Sequence, residues 1–145
     1  MKFFKIALLS LLLTTTIACS SKTKESITSC KSDLGYAKHT VTVHDKGGEV
    51  STFEIVSNTK VKKEDQENVK IIENTFKELY GNLEGVKVST EYDEKDNYLI
   101  ITITINLNKM KDEDINTLLE NMNLSENKDK DAIIKSLETL DYTCK

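Results

Sequence analysis

Apolar and polar residues alternate through "HTVTVHDKGGEVSTFEIVS", residues 39–57, on both sides of the Gly47-Gly48 pair, a pattern that predicts a β-hairpin. With Gly48 in the left-handed position of a three-residue loop, Val41 faces Phe53 and His39 faces Ile55. From about Lys62 to Tyr80 the period lengthens. Val69, Ile72, Phe76 and Leu79 recur at spacings of three, four and three, the mark of one helix face. Glu64, Asp65 and Glu67 crowd the first turns, where they suit the helix dipole, and Gly81 is positioned to stop the helix. "GVKVSTEYDEKDNYLIITITINLN" returns to period two: Val86, Val88, Thr90 and Tyr92 share one face, as do Leu99, Ile101, Ile103, Ile105 and Leu107. Matching these faces sets Tyr92 opposite Leu99 and Val86 opposite Ile105, with a loop from Asp93 to Tyr98. Thr102, Thr104 and Asn106 then lie on the wet side.

Two shorter helices finish the pattern. One carries Ile115, Leu118, Leu119 and Met122 behind Asp112 to Asp114; the other carries Ile133, Ile134, Leu137 and Leu140 behind Ser125, Glu126, Asp129 and Asp131, again with acids at the helix start. A four-stranded antiparallel sheet with helices packed on one face satisfies all of these stripes, so the expected fold class is α+β.

The N-terminal run follows a different logic. Lys2 and Lys5 precede an apolar stretch from Ile6 to Leu13, then Thr14-Thr15-Thr16-Ile17-Ala18, then Cys19. This order is that of a secretory signal peptide. The stretch Ile6 to Ala18 would span roughly 20 Å as a helix, short of a hydrocarbon core of about 30 Å. Ile17-Ala18-Cys19 matches three of the four positions read in lipoprotein processing; Thr16 departs from the usual leucine. In such a precursor the Cys19 thiol takes a diacylglycerol through a thioether, and cleavage makes Cys19 the new N-terminus. Two acyl chains of the palmitate kind anchor stably where one does not, since each buried methylene contributes about 0.8 kcal/mol. The expected domains are a lipoprotein signal peptide at 1–18, a flexible tether at 19–29 with "SSKTKESITS" as its polar body, and a single α+β domain at 30–145.

Removing residues 1–18 leaves 127 of the 145 residues, with 18 lysines against 24 acids and a net charge of −6. That is enough chain for one core. An acidic chain without a single arginine has no guanidinium fork for phosphate, and nucleic acid is not an expected partner. The absence of proline and tryptophan, with abundant Lys, Asn and Ile, suggests an AT-rich genome such as that of a low-GC Gram-positive bacterium.

Three cysteines are an odd number for an exported protein until Cys19 is assigned to lipid. Cys30 and Cys144 then form an even pair near the two ends of the mature domain. Bridging them would close a loop for which chain entropy gives about 4 to 5 kcal/mol. The alternative is two separate thiols. Two thiolates without nearby histidines fall short of a four-coordinate metal site, so no metal is expected.

Other candidate chemistry is sparse. His39 and His44, an odd number of positions apart, fall on opposite faces of a strand unless a bulge intervenes. His39 reads as structural and His44, beside Asp45 at the turn, as solvated. "EYDEKDNY" lacks the Asp-x-Asp-x-Asp-Gly spacing of a calcium loop and reads as a polar hairpin connection. Tyr80, Tyr92 and Tyr98 surround one turn of the expected structure, where packing competes with an interface as their role. No nucleophile elbow, phosphate loop, Cys-x-x-Cys pair or zinc-protease helix is present. No catalytic residues and no cofactor are therefore expected.

The lipobox-like "TIAC", the strand pair with its Gly-rich turn, the amphipathic helix, "YGNLEGVKVSTEY", "YLIITITINL" and the closing "LDYTCK" together resemble the YehR-like small bacterial lipoproteins. The resemblance runs over nearly the whole chain and rests on the order of elements more than on an invariant motif. It implies a compact α+β envelope domain and brings no catalytic residues. The expected function is a binding or interaction module held on the extracytoplasmic face of the cell membrane through lipid on Cys19, facing an unidentified envelope partner or ligand. An envelope hydrolase using carboxylates and a passive structural envelope protein are the alternatives.

Overall fold

The computed structural model describes residues 23–145. Six strands alternate with three helices: β1 Glu25–Asp33, β2 Ala37–Lys46, β3 Glu49–Lys60, α1 Val69–Tyr80, β4 Val86–Asp93, β5 Tyr98–Asn106, α2 Asp112–Asn121, α3 Lys130–Thr139 and β6 Thr143–Cys144. They form one antiparallel sheet in the order β4-β5-β3-β2-β1-β6. The class is mixed α+β, but the sheet has six strands and not four.

Both added strands lie where the sequence carries no stripe. β1 takes Glu25–Ser29 out of the expected tether, so the ordered domain starts ahead of residue 30. Its core-facing positions are Ser26, Thr28 and Cys30, opposite Asp45, Val43 and Val41 of β2, while Ile27 faces outward and is 65% exposed. The hydrophobic alternation is thus inverted, and ladder hydrogen bonds with one buried cysteine hold the strand. β6 is two residues long, too short for any period.

Rows of side chains cross the sheet. Cys30, Val41, Ile55, Ile103 and Val88 form one; Thr28, Val43, Phe53, Ile105 and Val86 form the next. Val69 of α1, Ile115, Leu118 and Leu119 of α2, and Ile133 and Leu137 of α3 join them in a single buried cluster. The other face presents Thr40, Thr42, Val56, Thr102 and Thr104, all only half-buried.

The β4–β5 register is the one the stripes dictate, with Val86 opposite Ile105 and Tyr92 opposite Leu99. The β2–β3 register is not. Val41 pairs with Ile55, Val43 with Phe53, and His39 with Ser57. Two backbone features cause the shift. Gly47 and Gly48 both have positive φ, 67° and 87°, and make a two-residue turn between Lys46 and Glu49. Beyond it Asp45 pairs with Val50 but His44 with Thr52, so Ser51 is an extra residue in β3, and its hydroxyl donates to the His44 carbonyl at 3.2 Å.

The first helix also differs in detail. Residues Lys63–Asn68 wind as a 3-10 helix before α1 begins. Its inward stripe runs Val69, Ile72, Phe76 and Tyr80, continuing to Leu83, whereas Leu79 is 62% exposed. Gly81 stays right-handed and donates to the Lys77 carbonyl at 2.8 Å. The chain reverses instead at Gly85, whose φ is 84° and whose missing Cβ would sit 2.6 Å from the Asn106 carbonyl oxygen.

The start of the domain is tied to the β2–β3 turn. The Gly47 N–H donates to the Lys24 carbonyl at 3.1 Å, and the Thr23 methyl fills the space a side chain at Gly47 would need. The segment before α3 docks on the same turn, with Val50 N–H donating to Lys128 O at 2.7 Å and Lys130 N–H to Gly48 O at 2.9 Å.

Candidate functional site

Of the three cysteines, Cys19 lies outside the described residues. Cys30 and Cys144 face each other across β1 and β6. Ser29 and Lys145 beside them exchange both backbone hydrogen bonds at 3.0 Å, so the cysteines occupy a non-hydrogen-bonded pair, the site where opposed side chains come closest. Their sulfurs are bonded at 2.03 Å. Cys30 is fully buried. The bridge holds the two-residue β6, and with it the end of the chain, against β1.

A polar cluster with no counterpart among the sequence expectations sits at the opposite end of β1. Asp45, the last core-facing position of β2, is the one buried charged residue among the described residues, 5% exposed. Its carboxylate accepts from the Ser26 hydroxyl of β1 in a short hydrogen bond, from the Gly48 N–H at 3.2 Å, and from Lys130 of α3, whose Nζ lies 3.1 Å away. Lys130 Nζ also donates to Ser26 Oγ at 2.7 Å. The Ser26 hydroxyl, helped by Lys130 and the Gly48 N–H, holds the Asp45 carboxyl below its ordinary value against the opposing effect of burial.

A serine beside a lysine invites a nucleophile-and-base reading. The hydrogen bonds argue otherwise. An ammonium that donates to both a carboxylate and the serine has no lone pair to offer, and the serine proton is directed at Asp45. The cluster fastens β1, the turn and α3 together.

Against it lies an open cavity of about 690 Å³, lined by Ser26, Ile27, His44, Asp45, Thr52 and Asn108 among others. His44 borders it from the outer face, while His39 shares the inward row with Ser57 and Ile101. The two histidines are not brought together. A second open hollow of about 740 Å³ lies near the disulfide, between Lys31, Lys38, Lys145, Asp33 and Asp141. There the Gly35 N–H, with Lys38 beside it, holds Asp33 low. Among the described residues no three His, Cys, Asp or Glu side chains converge in a metal-holding group.

The remaining sequence features resolve into local structure. Asp93 Oδ1 accepts from the backbone N–H groups of Lys95 (2.9 Å) and Asp96 (3.2 Å), so the acidic loop is built around its own turn. The tyrosines separate. Tyr80 stacks on Phe76 at 6.1 Å, Tyr92 packs on the core and donates to Asn97 Oδ1 at 3.2 Å, and Tyr98 begins the opposite face.

These features define a small mixed α+β domain, a six-stranded antiparallel sheet with its buried face under helices and a disulfide at one edge. The chain is similar in fold to two proteins of known solution structure. One is the YehR protein of E. coli, with a TM-score of 0.63 at 15% identity, covering 83% of this chain and 91% of that one. The other is a protein from Streptococcus pneumoniae TIGR4, with a TM-score of 0.57 at 16% identity, covering 100% and 98%. No protein-family model and no curated protein matches the chain. At these identities the likeness is one of fold, and it supports a YehR-like architecture.

Proposed function

We propose that this protein is a lipoprotein of the cell envelope, anchored through acylated Cys19 on the extracytoplasmic side, whose α+β domain serves as a binding or interaction module. The observation that carries the reading is Ile17-Ala18-Cys19 at the end of a lysine-led apolar leader. Two further features support it. β1 begins at Glu25, six positions after Cys19, and among the described residues no helix is long and apolar enough to cross a membrane. For the module, support comes from the outward sheet face, where Thr40, Thr42, Val56, Thr102 and Thr104 are half-exposed among the described residues.

The test is metabolic labelling of the full chain with a palmitate analogue, alongside Cys19→Ala. Labelled, membrane-associated wild type and unlabelled Cys19→Ala are expected. Equal labelling of both removes the anchor. Crosslinking of the anchored domain in intact cells then separates the module from a passive structural protein, since a module shows a saturable partner.

A further inference from the structure

The sheet ends on one side in β4, eight residues that pair with β5 and with no other strand among the described residues. A long, regular edge is a template for another strand unless proline, a bulge, an inward charge or an edge lysine guards it. Of these β4 has only Lys87, which deters any strand that does not set an acid opposite it. Its register against β5 is constant from Val86 to Asp93, and Lys87, Ser89 and Glu91 are exposed on the outer face.

The hydrogen-bond phase of this edge is fixed. Asn106 N–H donates to the Gly85 carbonyl at 2.8 Å, so by antiparallel alternation Lys87, Ser89 and Glu91 spend their backbone groups on β5. Those of Val88, Thr90 and Tyr92 point off the edge, together with the Val86 carbonyl; the Val86 N–H is taken by Leu83 O.

The geometry points to a second copy of this chain as the occupant, paired antiparallel through β4 about a two-fold axis at Ser89. In that register Val88 exchanges both hydrogen bonds with Thr90 of the other copy, and the Val86 carbonyl receives the Tyr92 N–H. Lys87 comes to lie opposite Glu91, twice by symmetry, in non-hydrogen-bonded pairs where side chains are closest. Neither side chain has an ion-pair partner within the described residues. The buried-face residues continue row to row, Val86 against Tyr92 and Val88 against Thr90, so the two sheets join into one of twelve strands with an isologous interface. The neighbouring register centred on Thr90 would rely on Asp93, whose carboxylate is already committed to the Lys95 and Asp96 N–H groups.

Ser89→Cys, introduced into the full chain and oxidised in membranes, tests this. Ser89 is exposed, so the substitution does not threaten folding. A disulfide-linked dimer above the wild-type background is expected on a non-reducing gel, with none for Thr90→Cys. Adding Lys87→Glu sets carboxylates opposite each other and weakens association by about tenfold; adding Glu91→Lys as well restores it. No dimer at Ser89, equal crosslinking at Ser89 and Thr90, or a charge exchange that fails to rescue overturns the proposal.

Discussion

Replacing Asp45 with alanine removes the centre of the cluster joining β1, the β2–β3 turn and α3. The side chain accepts hydrogen bonds from Ser26, Gly48 and Lys130 and is 5% exposed. A hydrogen bond to a charged group contributes about 1.5–3 kcal/mol, and removing one partner of a buried pair costs about 3–5 kcal/mol when the other stays trapped. Lys130 is not trapped. Its side chain is 25% exposed and can turn to water, which brings the expected net loss to about 2–4 kcal/mol. Urea unfolding at pH 7, followed by far-UV circular dichroism with the disulfide intact, then shows a midpoint lowered by about 1–2 M at an ordinary slope. Lys130→Met in the same background closes a double-mutant cycle, in which the two losses fall short of additivity by about 1–3 kcal/mol. The pH dependence follows from the sign of the shift. Asp45 lies below its ordinary 3.8 in the fold, so its contribution is complete above that value and is lost as the pH falls through the folded one. The advantage of wild type over Asp45→Ala is full at neutrality and fades on acidification. A loss under 0.5 kcal/mol, strictly additive mutants, or a difference that grows in acid would each refute the reasoning.

Intact mass with and without reductant is expected to differ by two hydrogen atoms, and Cys144→Ser to lower stability by about 4–5 kcal/mol at most, from the entropy of a loop spanning 114 positions. Gly85→Ala is expected to cost more than Gly35→Ala in thermal unfolding: both have positive φ, but a side chain at 85 meets the Asn106 carbonyl while one at 35 meets open space. Phe76→Ala on α1 should lose about 2–4 kcal/mol while Leu79→Ala stays within about 0.5, because only the first packs on the core.

What could be seen in the sequence tracks how strongly each strand depends on hydrophobic burial. β5 has alternate residues Leu99, Ile101, Ile103 and Ile105 buried, and a strand so polarised admits one register. The hairpin of β2 and β3 is polarised more weakly, by Val41, Val43, Phe53 and Ile55, and its register hangs on the bulge at Ser51, whose one mark in the side-chain pattern is that buried Val50 and Phe53 stand three positions apart. β1 was illegible because its inward residues are Ser26 and Thr28, which rely on hydrogen bonds and on Cys30. Leu79 misled because three-and-four spacing fits two adjacent stripes of one helix, and only the neighbours decide between Leu79 and Tyr80. Asp45 reads as a turn aspartate beside Gly47-Gly48; its burial depends on Lys130, 85 positions away in the chain, and no local signal connects them.

The docking of Lys24 on Gly47 shortens the leash. On the anchoring proposed above, only four Cα-to-Cα steps separate Cys19 from Thr23, at most about 14 Å of chain. On that proposal the glycine corner of the sheet would stay within this reach of the lipidated residue, and the domain would not swing freely above the bilayer. Two copies joined edge to edge would carry their moorings at diagonally opposite corners, and both can reach one membrane only when the shared sheet lies flat along it.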